Sequence, residues 1–66
     1  MRIKINNKPV EIDEKQTLND VVTSNVPETK GIAVALNGKL VKKDNWDNTI
    51  LKEEDEIVII KAAYGG

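Results

Sequence analysis

Ile3 and Ile5 alternate with Arg2 and Lys4, so residues 2–6 carry the period-two pattern of a strand that buries one face. Asn6-Asn7-Lys8 supplies turn chemistry, because asparagine tolerates positive φ, and Val10 and Ile12 then restore the alternation. A hairpin is expected. Pro9 has no ladder donor, which places the second strand at the rim of a sheet. The period then changes: Leu18, Val21 and Val22 fall at i, i+3 and i+4, and Thr17 stands where an N-cap belongs, giving one short amphipathic helix over roughly residues 17–25. Val26-Pro27-Glu28-Thr29-Lys30-Gly31 ends it and forms the one loop of any length.

Ile32-Ala33-Val34-Ala35-Leu36 is apolar at every position, as expected of a strand covered on both sides. Asn37-Gly38 is the strongest hairpin signal in the chain, since a type I′ turn needs positive φ at both central residues. Leu40-Val41 is the expected return strand. Residues 42–49 are polar apart from Trp46 and read as a loop whose tryptophan folds inward to close the core, with an interface anchor as the alternative role. Ile50-Leu51 suggests a short turn or strand. Lys52-Glu53-Glu54-Asp55-Glu56 reads as a solvated acidic turn, because it lacks the alternating ligands and central glycine of a calcium loop. Ile57-Val58-Ile59-Ile60 is the final strand.

Hairpin, helix, hairpin, strand is an α+β order in which one helix shields one face of a mixed sheet of four to five strands. The helical crossover makes the first strand parallel to a later one in the middle of the sheet. This is the β-grasp, or ubiquitin-like, arrangement, a single domain over residues 1–66 ending in a flexible tail, 62–66. If Ile57 and Ile59 face the helix, Val58 and Ile60 face outward beside Ala33 and Ala35, forming an apolar patch suited to a protein partner unless loops of the domain cover it.

Composition narrows the function. The 66 residues contain no cysteine and no histidine, which removes disulfides, thiol chemistry, the usual zinc sites and the commonest general base. No catalytic residue and no metal ligand is indicated, so the chain is expected not to be an enzyme. Ten basic and eleven acidic residues are interspersed, giving a net charge of −1 and no basic surface for nucleic acid. No stretch has the length of a membrane span or a signal-peptide core, so a soluble, unprocessed, cytoplasmic protein is expected.

The remaining feature is Ala62-Ala63-Tyr64-Gly65-Gly66. Glycines at a tip pass through slots too narrow for any other residue and leave a carbonyl carbon unshielded, which suits chemistry done to the chain by another protein. Simple fraying of a terminus is the alternative.

Gly31-Ile32-Ala33-Val34-Ala35-Leu36-Asn37-Gly38, followed by Val41, Trp46, Leu51, Asp55, Ile57 and Gly65-Gly66, resembles the ThiS family of sulfur carriers. The likeness is specific from residue 31 onward, whereas residues 1–30 match in length and pattern only. Two departures stand out: Glu54-Asp55 replaces a common Gly-Asp, and Tyr64 occupies a position that varies among family members.

The resemblance implies a carrier of sulfur for the thiazole ring of thiamin. An ionised carboxylate has no leaving group, so activation comes from outside. A ThiF-type adenylyltransferase would use ATP to adenylate Gly66, and a persulfide-derived sulfur, supplied by a donor such as a cysteine desulfurase, would displace AMP to leave a thiocarboxylate. A ThiG-type thiazole synthase would take that sulfur. The carrier itself would bind no cofactor. Extended at roughly 3.3 to 3.6 Å per residue, Ala62 to Gly66 would reach about 16 to 18 Å into a partner. Gly65 and Gly66 would give passage, Tyr64, Ala63 and Ala62 would line the tunnel wall, and Ala33, Ala35, Val58 and Ile60 would hold the body. Other readings of the same features are the small subunit of molybdopterin synthase, a ubiquitin-like modifier joined to lysines, and an interaction domain with an inert tail.

Overall fold

The computed structural model describes residues 1–26 and 28–61. Seven elements follow one another: β1 (Arg2–Ile5), β2 (Lys8–Glu11), α1 (Leu18–Asn25), β3 (Ile32–Leu36), β4 (Lys39–Leu40), a 3₁₀ helix (Lys43–Asn48) and β5 (Glu56–Lys61). The strands form one sheet in the order β2-β1-β5-β3-β4. β1 runs parallel to β5 in the middle, and the hairpin partners β2 and β4 lie at the two rims. The parallel centre and the rim position of the Pro9 strand are as the pattern predicts.

Alternation puts Ile3, Ile5, Val34 and Ile57 on the inner face, all buried, and Leu18, Val21 and Val22 of α1 lie over them. The helix starts where Thr17 and Asp20 form a reciprocal capping box: Asp20 N–H donates to Thr17 Oγ1 at 3.2 Å and Thr17 N–H to Asp20 Oδ2 at 3.0 Å. It stops at Val26, whose backbone is extended at φ −128°, the conformation expected of a residue that precedes proline.

Residues 43–48 are not the irregular loop expected from their polarity. They form a 3₁₀ helix packed against α1. That turn aims Trp46 inward to 1% exposure, where Nε1–H donates to the Val41 carbonyl at 2.9 Å, so its role in the core is as expected. Ile50 bridges Thr17, and Leu51 is buried in the core. The return strand is one residue earlier than expected, Lys39–Leu40. A two-residue turn pairs Leu36 with Lys39 and Ala35 with Leu40, and just beyond the strand Val41 N–H still donates to the Val34 carbonyl at 2.9 Å.

β3 is covered on one side only, which corrects the two-sided burial inferred from its apolar run. Val34 alone among its residues is fully buried. Alanine at 33 and 35 keeps the other side unobtrusive despite facing outward.

Ahead of β5, Glu54 holds φ +72°, a left-handed conformation that glycine, and to a lesser degree asparagine, adopts readily but that strains a glutamate. It is the position where the resembled family commonly carries glycine. Its amide still donates to the Arg2 carbonyl at 2.8 Å, a bond that glycine would keep. Glu54→Gly is therefore expected to raise stability by roughly 0.5–1 kcal/mol, strain relief outweighing the added chain entropy. Urea unfolding measures it, and a lower midpoint would refute the strain.

Candidate functional site

The outer face of the sheet divides in two. Arg2 and Glu11 pair across β1 and β2, with Arg2 Nε 3.6 Å from Glu11 Oε1, and Lys4 stands between Pro9 and Glu56. On the far half, cross-strand pairing sets Ala33 beside Ile60 and Ala35 beside Val58. Val58 is 41% and Ile60 51% exposed, so no described loop covers them. All four expected patch residues are thus brought together on the open face.

The patch is larger than the expectation. Leu40 pairs with Ala35, shares its face and is 76% exposed. Leu40 lies in the expected return strand as well as in the observed one, and the two-residue Asn37-Gly38 turn contains the register that sets it beside Ala35. Ile60 is the last outward apolar residue before Lys61, so the patch reaches the root of the tail. The expected site residues Ala62, Ala63, Tyr64, Gly65 and Gly66 lie outside the described residues.

Behind the patch, the acidic turn is not uniformly solvated. Glu53, Glu54 and Glu56 are exposed, but Asp55 is 4% exposed. Its Oδ2 accepts from Lys52 N–H at 2.7 Å and its Oδ1 from Asn37 Nδ2 at 2.9 Å. These donors explain why a carboxylate is tolerated inside so small a domain.

Asn37 also receives Glu56 N–H on Oδ1 at 2.9 Å, while its own N–H donates to the Glu56 carbonyl at 2.8 Å. Sequence reading treated Asn37 only as a residue tolerant of positive φ. Asparagine where glycine would satisfy the turn was the available sign that the side chain has work of its own. Asp55→Ala leaves two donors without an acceptor and is expected to cost about 2–3 kcal/mol in urea unfolding. A loss below about 0.5 kcal/mol would mean that the buried bonds contribute nothing net.

A one-helix mixed sheet with an exposed apolar half-face running into its last strand defines a small ubiquitin-like β-grasp domain. Within that class the chain belongs to the ThiS family, whose model matches residues 3–66. The sulfur carrier protein ThiS of Escherichia coli (strain K12) is 24% identical over 66 residues, the full length of both chains. The crystal structure of the thiamine biosynthesis protein (ThiS) from Geobacter metallireducens superposes with a TM-score of 0.85 at 25% identity, covering both chains completely. The solution structure of a thiamine biosynthesis protein from the same organism gives 0.77 at 25% identity, covering all of this chain and 88% of the other. Among the described residues, no helix is long and apolar enough to cross a membrane.

Proposed function

We propose that this chain is a cytoplasmic sulfur carrier for assembly of the thiamin thiazole ring, a cosubstrate of other enzymes and not itself a catalyst. The observation that carries the reading is the family match, which runs through Gly65 and Gly66. The Leu40, Val58 and Ile60 surface beside the root of that segment supports it.

In this reading the Gly66 carboxylate attacks the α-phosphorus of ATP in the active site of a ThiF-type adenylyltransferase, and pyrophosphate leaves. The acyl-adenylate now has a leaving group. The outer sulfur of a persulfide, drawn from a donor such as a cysteine desulfurase, adds to the acyl carbon, and AMP departs with the electrons of the broken C–O bond. A donor-side thiol then cleaves the S–S bond of the acyl disulfide, forming a disulfide and releasing the thiocarboxylate. The resulting thiocarboxylate is presented to a ThiG-type thiazole synthase. This chain's own share is recognition and delivery: the open-face patch binds each partner, and Ala62 to Gly66 carry the reacting carbon inward. With neither thiol nor imidazole in the chain, an acyl derivative of the terminus is the means of holding sulfur that its residues offer.

Incubation with ATP, sulfide and the cognate adenylyltransferase is expected to exchange one oxygen of the carrier for sulfur, read by intact-mass spectrometry. An unchanged mass with an enzyme that is active on its own carrier would overturn the assignment. Gly66→Ala is expected to fold normally and to slow adenylation, since a methyl group crowds the carboxylate as it approaches the α-phosphorus. Ile60→Asp is expected to cost about 1–2 kcal/mol of stability, because half of the side chain is buried and aspartate is disfavoured in a strand, leaving the domain folded, yet to weaken partner binding at least tenfold. Unaltered affinity by calorimetry would remove the patch from the interface.

A further inference from the structure

Asn6 ends β1 in a conformation that ought to break the ladder with β5, and its side chain repairs the break. Lys4 N–H donates to the Asp55 carbonyl at 2.9 Å and Asn6 N–H to the Ile57 carbonyl at 2.8 Å, the slanted spacing of a regular parallel pair. In that pattern the next bond would run from Ile59 N–H to the main-chain carbonyl of residue 6. At Asn6, however, the chain enters the turn with φ +50° and Asn7 follows at +71°. Ile59 N–H donates instead to Asn6 Oδ1, at 2.8 Å, and Asn6 Nδ2 returns a longer bond of 3.4 Å to the Ile59 carbonyl. The amide side chain stands in for the peptide group that the turn has taken away.

The position of this rung gives it a consequence. Beyond Ile59, β5 continues to Lys61 with β3 along one edge, through the pairs Ala33 with Ile60 and Ile32 with Lys61. On the other edge β1 has ended at Ile5, so the Asn6 amide is its last described hold on β5. A strand gripped along one edge is free to twist about it, whereas a grip on both edges fixes the plane in which the chain leaves. Carried along an extended segment of five residues, a rotation of ~20° displaces the far end by about 6 Å. Reaction demands placement within about 1 Å, so such a displacement matters wherever a partner holds those residues extended.

We propose that Asn6 is a positioning residue for loading of the C-terminus: its side-chain amide, in place of a backbone peptide, fixes the end of β5 and so the direction from which the reacting carbon is presented. The proposal rests on the sulfur-carrier reading.

Asn6→Gly tests it, because glycine keeps the positive φ of the turn and removes only the amide. Asn6→Asp keeps an acceptor for Ile59 N–H and tolerates the same backbone. Because the carrier is the substrate, the kinetics separate the causes. A carrier that is merely less folded lowers its own effective concentration and raises KM, whereas a misdirected tip lowers kcat with KM unchanged.

The expected result for adenylation is a fall in kcat of about tenfold for Asn6→Gly at unchanged KM, with Asn6→Asp within about threefold of the natural protein. Hydrogen exchange at the Ile59 amide is expected to quicken about tenfold more than at the amides of α1. An unchanged kcat, a change confined to KM, or equal acceleration at Ile59 and α1 would overturn the proposal while leaving the carrier reading intact. Failure of the natural protein to be adenylated by a competent enzyme would overturn both.

Discussion

The pairing of β5 along both of its edges is the constraint on which the molecule depends. The strand joins the two hairpins, parallel to β1 on one side and antiparallel to β3 on the other, and without it neither hairpin has an inner face to bury. Both hairpins turn away from it after a few residues. At each departure an asparagine in a left-handed conformation supplies a side-chain oxygen where its own carbonyl has swung aside, Asn37 for Glu56 N–H and Asn6 for Ile59 N–H. One residue type thereby meets two demands at each place, the positive φ of the turn and the missing rung of the ladder. Asn37 does more by donating to Asp55, which links the entrance of β5 to the buried acidic turn.

A chain of this length cannot cover two faces. One short helix, the 3₁₀ turn and Trp46 close the inner side, and the outer side meets solvent. On that side small alanines on β3 lie beside larger residues on β4 and β5, so an apolar half-face forms next to a half that carries Arg2, Lys4, Glu11 and Glu56. Leaving Leu40, Val58 and Ile60 partly wet costs hydrophobic stabilisation that a domain of 66 residues can ill spare. Such a cost is sensible where a partner removes that surface from water. Val58 and Ile60 of the patch lie on β5, the strand that ends at Lys61; in the proposed reading a partner that binds the patch thereby receives the residues that follow.

Much of this was legible from residues alone. Thr17 with Leu18, Val21 and Val22 announced the helix, Pro9 announced a rim strand, and Asn37-Gly38 announced a type I′ hairpin, because each is a local steric or hydrogen-bonding requirement that few residues satisfy. The expected patch of Ala33, Ala35, Val58 and Ile60 followed from strand alternation once a helix was assigned to the opposite face. Leu40 joins the patch through the register of the Asn37-Gly38 turn, which sets it beside Ala35, a pairing that alternation along β3 and β5 alone does not supply. The burial of Asp55 is not legible in the sequence, because its three acidic neighbours in the run, Glu53, Glu54 and Glu56, are all exposed and composition averages over the one residue that is not.

The sequence by itself determined the elements, their order and which side of each strand is apolar, because backbone sterics and periodicity act over a few neighbouring residues. Only the tertiary structure decided which groups meet across the sheet: Asn6 with Ile59, and Asn37 with Asp55 and Glu56. Those partners are separated by 53, 18 and 19 positions in the chain, and hydrogen bonds between them depend on strand register. The strain at Glu54 has the same origin, since the path from Leu51 into a strand already held on both edges leaves that residue a left-handed backbone.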